Sequence, residues 1–305
     1  MKQNSTQHNI NQALQELSLF LSQNLCESPR LVAQLLITHI LQVDKIYLIT
    51  NHDKHITVKQ WQDILSLAIR HAKGEPLAYI LGVKEFYGRD FKVTKDTLIP
   101  RPESEDVLDA LISKVKTKSQ HTYNNISTFA DIGTGSGCLA CTFASEVPNI
   151  QGYMLDISPK ALDIAICNAE KIGVRRRVQP ILSTLYALPF AEKSLDIIIS
   201  NPPYISEEEF INLDTNVRDF EPKTALIPIH QYNTPNNIID NGLAHIEAIA
   251  RQAYKILKNN GLCIVEHGYT QGKAVRELFL KYAPWEKVTT GQDLAGLDRY
   301  CLCEK

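Results

Sequence analysis

The chain has 305 residues, enough for one large domain and one small domain, each with its own core. Hydrophobic residues make up 44% of the sequence and charged residues 22%, as is typical of a folded globular protein. The formal net charge of −2 excludes a strongly basic field, so we expect no direct binding to nucleic acid, whose phosphates supply much of a dedicated binder's affinity.

The N-terminus and the cysteines predict where the protein works. Residues 1–11 are polar and lack the apolar segment of a signal peptide. No stretch approaches roughly 18 continuous apolar residues, the length of a membrane span, so we expect no membrane association. The seven cysteines lack the spacing of a disulfide framework, which favours a reducing compartment. The sequence therefore predicts a cytoplasmic protein.

Helical periodicity dominates residues 1–73. Leu14, Leu17 and Leu21 recur at the spacing of one helix face. Ser28-Pro29 resembles an N-cap with proline at the first helical position, and a further helix is predicted over 58–72. We expect these residues to form a small helical bundle that docks the substrate, because it is too small to hold a cofactor site of its own.

A linker is predicted over residues 74–105. Gly74-Glu-Pro ends the helical pattern, and alternation around Tyr87-Gly88 predicts a short β-hairpin. The linker ends in Ile99-Pro-Arg-Pro, which its two prolines hold extended. Arg101 and Glu103 are interpreted equally well as anchor residues or as partners in a linker salt bridge.

Strands alternate with helices in the remaining residues, 106–305. Short apolar runs predict buried strands at Thr128–Ile132, Gln151–Leu155, Val178–Leu182, Asp196–Ser200 and Leu262–Val265. The last pair, Trp285–Thr290 and Asp298–Cys303, is joined by a glycine-containing turn without a helix, which predicts antiparallel pairing. We therefore predict an α/β fold: a doubly wound, seven-stranded, mostly parallel sheet with a reversed last strand.

A glycine-rich loop follows the first of these strands and consists of Gly133, Thr134, Gly135, Ser136 and Gly137. Closely spaced glycines allow a tight turn and a close approach of the backbone to a ligand. Asp156 ends the next strand, about 20 residues later, where a carboxylate accepts hydrogen bonds from a ribose diol. Nicotinamide-dependent enzymes share this arrangement, but the loop lacks the Gly-x-Gly-x-x-Gly spacing suited to a pyrophosphate.

The tetrapeptide Asn201-Pro202-Pro203-Tyr204 follows the buried strand that ends at Ser200. Its prolines stiffen the loop and leave carbonyl groups free to accept hydrogen bonds. A nitrogen conjugated to a π system is a poor nucleophile, so the side-chain carbonyl of Asn201 and the backbone carbonyl of Pro202 are expected to hold its N–H groups and orient its lone pair. Tyr204 can stack on a planar target. Together with the glycine loop, this pattern predicts an S-adenosylmethionine-dependent methyltransferase that acts on a planar nitrogen.

Nearly the whole chain resembles the HemK/PrmC protein-(glutamine-N5) methyltransferases, which modify peptide-chain release factors. Besides the glycine loop and the tetrapeptide, the segments that carry this resemblance are Gly74-Glu-Pro-Leu-Ala-Tyr-Ile, Glu85-Phe-Tyr-Gly, Leu98-Ile-Pro-Arg-Pro-Glu-Ser-Glu, Phe220-Glu-Pro, Glu266-His-Gly and Asp293-Leu-Ala-Gly-Leu-Asp-Arg. The Ile-Pro-Arg-Pro-Glu linker is the most specific of them. The resemblance implies the class I methyltransferase fold and S-adenosylmethionine as cofactor, with no metal.

The resemblance also implies the substrate, the glutamine of the Gly-Gly-Gln motif in a release factor. Asn201 and the carbonyl of Pro202 would hold its side-chain amide, with Pro203 and Tyr204 packing nearby. Release factors are therefore the expected partners.

On the cofactor side, the resemblance implies that residues 133–137 line the methionine part and that Asp156 binds the ribose. Asn201 would also touch the cofactor, and Tyr186 would lie beside the adenine. The family usually has an acidic residue just before that aromatic residue. This chain has Leu185 there, so one adenine contact differs from the family pattern.

Three other functions fit the sequence less well. A sister enzyme that methylates a ribosomal-protein glutamine shares the tetrapeptide, but its linker lacks the continuation seen at Pro102-Glu-Ser-Glu105. A DNA or RNA amino-methyltransferase would need a basic cleft or a target-recognition domain, and would have to extrude the base. A cofactor-binding adaptor without activity is disfavoured because the loop, the acidic residue and the tetrapeptide are all intact.

Overall fold

The computed structural model describes residues 8–119, 126–228 and 241–305. Its residues cluster into two compact units. The first runs up to Gly82 and also includes Thr215–Phe220, and the second comprises Val83–Asp214 and Glu221–Lys305. The division predicted from the sequence, at residues 1–73, 74–105 and 106–305, stays a prediction.

The first unit is a helical bundle, as the sequence predicts. Its leading helices are α1 (Ile10–Gln23), α2 (Pro29–Leu41), α3 (Lys45–Thr50), α4 (Val58–Ala72) and α5 (Leu77–Leu81). Asn9 and Thr57 begin α1 and α4 with reciprocal capping boxes, in which a side chain accepts from the third helical N–H. Leu17, Leu36 and Ile64 are fully buried between these helices, because each repeats at helical spacing on an apolar face.

The second unit begins with a hairpin and continues into alternating strands and helices. Its elements, with α10 falling in the segment that clusters with the first unit, are β1 (Val83–Phe86), β2 (Arg89–Lys92), α6 (Glu103–Ser119), β3 (Thr128–Ile132), α7 (Cys138–Glu146), β4 (Gln151–Asp156), α8 (Pro159–Ile172), β5 (Val178–Leu182), β6 (Leu195–Ser200), α9 (Glu207–Ile211), α10 (Thr215–Arg218), α11 (Ala244–Ile256), β7 (Leu257–Glu266), α12 (Gly272–Tyr282), β8 (Lys287–Gln292) and β9 (Asp298–Glu304).

The central sheet has seven strands in the order β5-β4-β3-β6-β7-β9-β8. Strands β3 to β7 pair in parallel, whereas β9 runs antiparallel to both β7 and β8. The predicted doubly wound sheet with a reversed last strand is therefore confirmed. The predicted strand Leu262–Val265 was too short, because β7 extends back to Leu257 and carries exposed polar residues there.

Helices cover both faces of this sheet. Along β6, Ile197 and Ile199 point into the core shared with α6, α7 and α8, while Ile198 points into the core shared with α11 and α12. Successive strand residues alternate between faces, so a strand buried on both sides is continuously apolar. Within the described residues, no helix has both the length and the apolar character to cross a membrane.

The register of the parallel strands brings their carboxyl ends to one edge. Ile132 of β3 lies opposite Leu155 of β4 and Ser200 of β6, and Ser200 lies opposite Val265 of β7. The residues that follow these four strands therefore gather at a single edge, where ligands bind in open α/β sheets.

Candidate active site

A cavity of about 410 Å³ opens at this edge. Among its walls are eight residues predicted from the sequence: Gly133, Thr134, Gly135, Ser136, Asp156, Tyr186, Asn201 and Pro203. Three other predicted residues, Gly137, Pro202 and Tyr204, lie beside the cavity in the chain but do not line it. The size suits a small-molecule ligand, since such cavities measure roughly 300–1,000 Å³.

The glycine loop has the backbone geometry that its composition predicts. Gly133, Gly135 and Gly137 have φ angles of 76°, 54° and 78°, in the left-handed region that side chains disfavour. A Cβ atom on Gly137 would also lie 3.0 Å from the Cβ of Ala165 in α8. The first two glycines thus shape the turn, while the third also allows α7 and α8 to pack closely.

Asp131, the penultimate residue of β3, stabilises the glycine loop through hydrogen bonds. Its Oδ2 accepts hydrogen bonds from the Thr134 hydroxyl at 2.7 Å and from the Ala140 N–H at 3.1 Å. The carboxyl group is fully buried, and burial raises its pKa to about 7. Sequence reasoning assigned Asp131 no role, although an acidic residue inside an apolar strand was a signal for one.

Asp156 ends β4 and faces the cavity. Its Oδ2 accepts from the Gly135 N–H and its Oδ1 from the Ser158 N–H, both at 2.9 Å. Burial raises the pKa of this carboxyl above its usual range, while these two bonds favour the charged form. The Ile157 N–H also favours the charged form. Since a carboxylate has about four acceptor sites, acceptor capacity remains for a ligand.

Asn168 of α8 also supports the loop and was missed from the sequence. Its side-chain amide donates to the backbone carbonyls of Ser136 at 2.8 Å and Lys92 at 2.9 Å, and accepts from the Lys92 N–H at 2.7 Å. The residue is fully buried. A polar residue on the apolar face of α8, beside Ala165 and Ala169, was the available signal.

The segment after β5 forms the far side of the cavity. The Tyr186 ring lies edge-on to the His245 ring, with centroids 5.5 Å apart. Leu185 and Thr184 line the cavity next to it. Gln252 of α11 donates to the Leu185 carbonyl at 2.9 Å and fixes this turn. At the position where the family pattern has a carboxylate, this chain therefore presents an apolar side chain.

Asn201 follows β6 directly and is held by residues distant in sequence. Its Nδ2 donates to the Oγ of Ser104 at 3.2 Å. Ser104 lies in the first turn of α6, and its hydroxyl donates to the Oε2 of Glu266 at 2.6 Å. Glu266 ends β7 and is 1% exposed, and burial raises its pKa to about 7.

The other end of the tetrapeptide is fixed by its backbone. The carbonyl of Tyr204 accepts from the Gln271 side chain at 2.9 Å, and the Tyr204 hydroxyl lies 3.4 Å from the Oε1 of Glu266. A Cβ atom on Gly242 would lie 1.9 Å from the Tyr204 carbonyl oxygen, and the φ of Gly242 is 77°. Only glycine therefore allows these two backbone segments to approach.

Arg101 forms a salt bridge with Glu221, which lies outside the linker, rather than the bridge within the linker that was one of its two interpretations. Its Nη2 lies 2.6 Å from the Oε1 of Glu221, whose Oε2 accepts from the Ile99 N–H at 3.1 Å. The Glu221 side chain is 1% exposed. Glu221 thus joins the Ile-Pro-Arg-Pro segment beside the cavity, which Arg101 and Pro222 line.

Comparison with known proteins places the chain in a family. The family model described as PrmC N-terminal domain matches residues 12–82, and the one described as Methyltransferase small domain matches residues 108–217.

Three curated relatives carry the name release factor glutamine methyltransferase. The relative from Nitratidesulfovibrio vulgaris is 38% identical, covering 92% of this chain and 89% of the relative. That from Vibrio cholerae is 34% identical, covering 96% of each. That from Bacillus cereus is 30% identical, covering 97% of this chain and 99% of the relative. The chain belongs to the release factor glutamine methyltransferase family.

Proposed function

We propose that this family member transfers the methyl group of S-adenosylmethionine to the side-chain nitrogen, N5, of the glutamine in the Gly-Gly-Gln motif of peptide-chain release factors. The observation that carries the proposal is that a single cavity is lined by the glycine loop, Asp156 and Asn201. The names of its relatives favour release factors over ribosomal proteins as the methylated partner.

The residues of the cavity fit the cofactor. Bound S-adenosylmethionine would supply a methyl group bonded to a sulfonium sulfur. Asp156 keeps acceptor capacity for the hydroxyls of a ribose. The backbone of residues 133–137 would lie against the methionine part of the cofactor, because Gly133 and Gly135 have no side chains to cover it. Tyr186 also lines the cavity, where its ring would pack against the adenine.

The tetrapeptide orients the amide of the substrate. The Oδ1 of Asn201 and the carbonyl of Pro202 accept hydrogen bonds from the two N–H groups, and Pro203 and Tyr204 pack around the planar group. These hydrogen bonds and this packing direct the nitrogen lone pair toward the methyl carbon for in-line attack. Such positioning can contribute about 7–11 kcal/mol toward lowering a barrier.

In the reaction, a bond forms between the amide nitrogen and the methyl carbon while the carbon–sulfur bond breaks. The sulfonium becomes a thioether, and the nitrogen loses one proton to water. The positive charge that sulfur carried therefore leaves with the proton, and no metal or redox partner enters the balance.

Residues 1–73 are proposed to dock the release factor. The methyl transfer needs only one exposed glutamine, so a second contact surface has to select the protein that carries it.

The proposed partner is a protein, and the near-neutral charge supports no direct contact with nucleic acid. The proposed location is the cytoplasm, where release factors act.

The test is to incubate the protein with labelled S-adenosylmethionine and a release factor, alongside the same release factor with its Gly-Gly-Gln glutamine changed to alanine. Label is expected on the unchanged factor alone. Mass spectrometry of the labelled peptide should assign the methyl group to the glutamine side chain. Labelling that survives in the alanine variant, or that occurs on ribosomal protein or nucleic acid instead, would refute the proposal.

A further inference from the structure

Three polar residues to which the proposed reaction assigns no role lie next to the tetrapeptide Asn201–Tyr204. Ser104 comes from the first turn of α6, Glu266 from the end of β7 and Arg299 from β9. The two oxygens of Glu266 reach both ends of the tetrapeptide, since Oε2 contacts the Ser104 hydroxyl that bonds Asn201 and Oε1 lies near the Tyr204 hydroxyl. Such buried polar networks specify one arrangement when each member is satisfied.

The direction of the hydrogen bonds fixes the orientation of the Asn201 amide. The Ser104 hydroxyl has one hydrogen, and an ionised Glu266 can only accept, so that hydrogen is committed to Glu266. The Oγ of Ser104 then offers only lone pairs to Asn201. The group of Asn201 that faces it must therefore be the NH₂, as the 3.2 Å contact from Nδ2 shows.

We infer that Ser104 and Glu266 are positioning residues that hold the Asn201 amide with its Oδ1 toward the target nitrogen. The inference rests on the proposed function, in which that Oδ1 accepts from the substrate N–H. An amide rotated by half a turn would instead present two hydrogens to the substrate's own N–H groups, and the substrate nitrogen would be repelled.

Protonation of Glu266 would release this constraint. A protonated Glu266 can donate to Ser104, whose hydrogen is then free to bond the Oδ1 of Asn201 in the rotated orientation. The pKa of Glu266, raised by burial to about 7, makes this switch accessible near neutrality. Besides Tyr204, the charged or titratable groups that act on this carboxyl are Arg299, Glu103 and Cys138.

Arg299 helps to keep Glu266 ionised down to lower pH. The positive charge of Arg299 lowers the pKa of Glu266, opposing burial, while the charge of Glu103 raises it. Asp293 fixes Arg299 in place, since its Oδ2 accepts from Nε at 3.1 Å and from Nη2 at 2.9 Å. The Asp-Leu-Ala-Gly-Leu-Asp-Arg segment thus acts on the tetrapeptide through the charge of Arg299.

The experiment compares Ser104→Thr with Ser104→Val. Threonine and valine have nearly the same shape, so the steric cost of the two variants is matched, but valine has a methyl group where threonine keeps the hydroxyl. Ser113→Val serves as a control for a β-branched residue in α6, because Ser113 is exposed and outside the cavity. The measurements are kcat and KM on a release factor, and the Kd of S-adenosylmethionine by calorimetry.

Ser104→Val is expected to have a kcat roughly 10-fold below that of Ser104→Thr, the equivalent of one hydrogen bond. The Kd of S-adenosylmethionine should be the same in both, and Ser113→Val should match the wild type. Equal kcat values for Thr and Val, both near the wild type, would overturn the inference. So would a loss in Val that appears as weaker cofactor binding with kcat unchanged.

If the added methyl group inactivates both Ser104 variants, Glu266→Gln decides the matter through its pH profile. Wild-type kcat is expected to fall as pH drops through about 7, because the protonated carboxyl no longer fixes Ser104. Glu266→Gln cannot titrate and should show a lower kcat without that acidic limb. An unchanged acidic limb in Glu266→Gln would contradict the inference.

A wild type that fails to methylate any release factor would instead refute the proposed function. Failure of the inference and failure of the proposed function can therefore be told apart.

Discussion

The glycine loop and the tetrapeptide lie at the same edge of one sheet, yet they are supported in different ways. The loop is held by the elements next to it, since the Gly133 and Thr134 N–H groups both donate to the carbonyl of Leu155 in the adjacent strand. The side chains of Asp131, Asp156 and Asn168 add further hydrogen bonds to the loop. The tetrapeptide is held by side chains from elsewhere in the chain, including Ser104, 97 positions before Asn201. The difference teaches that the two segments have separate supports, so mutations should separate the cofactor binding proposed for the loop from the substrate positioning proposed for the tetrapeptide.

Removal of the Asn201 side chain should have the largest effect on transfer. Asn201→Ala deletes the oxygen that we propose accepts from the substrate amide but leaves the loop and Asp156 in place. We expect kcat to fall roughly 100- to 1,000-fold, as when one precisely placed catalytic hydrogen-bonding group is removed. The Kd of S-adenosylmethionine, measured by calorimetry, should change little. A large loss of cofactor affinity with normal turnover would erase the distinction between the two regions.

A backbone change at Gly242 tests the tetrapeptide without touching it. Gly242→Ala would place a Cβ 1.9 Å from the Tyr204 carbonyl oxygen, so the Asn201–Tyr204 loop has to shift. We expect kcat to fall about 100-fold, because a displacement near 1 Å can cost that much. Gly173→Ala is the matched control: its φ of +84° imposes the same backbone strain, but nothing lies within 4 Å of the added atom. The control should lose stability alone, and equal kcat losses in both variants would point to strain rather than displacement.

Asp156 should show the reverse pattern. Asp156→Asn keeps the size of the side chain but removes the charge that we propose binds the ribose diol. We expect the Kd of S-adenosylmethionine to rise roughly 10- to 100-fold, the equivalent of one or two hydrogen bonds to a charged group. At saturating cofactor, kcat on a release factor should stay close to the wild-type value. A kcat that stays low at any cofactor concentration would mean that the loop also positions the substrate.

Asn168 should have the smallest effect on activity and a clear one on stability. Asn168→Ala removes three hydrogen bonds that tie the Ser136 carbonyl to Lys92. We expect the free energy of unfolding, measured in urea, to fall by about 2–3 kcal/mol, because buried backbone groups lose their partners. Cofactor affinity should weaken less than 10-fold. A change in kcat without any change in stability would show that Asn168 acts on the tetrapeptide instead.

Most of the fold could be predicted from the sequence because its signals are local. The runs Thr128–Ile132 and Val178–Leu182 coincide with strands β3 and β5, and the glycine loop lies where its spacing predicts a turn. Apolar alternation, helix caps and glycine spacing are properties of neighbouring residues. They therefore needed no knowledge of how distant segments pack.

The supports of the tetrapeptide could not be predicted in this way. Ser104 and Glu266 are 162 positions apart in the chain and meet only once α6 and β7 have packed. Their segments were noted as family-like, but a serine after a proline-rich linker is an ordinary helix start. Glu266 did carry a signal, since, like Asp156, it is an acidic residue at the carboxyl end of a buried strand. Its partners still required the structure.

The most direct test of the two-support account is the single-turnover rate of methyl transfer to a release factor across a series of S-adenosylmethionine concentrations. It should be measured for the wild type, Asp156→Asn and Asn201→Ala. The account predicts that Asp156→Asn shifts the half-saturating concentration upward and nearly reaches the wild-type limiting rate, while Asn201→Ala keeps that concentration and loses the limiting rate. Both variants changing the same parameter would contradict it.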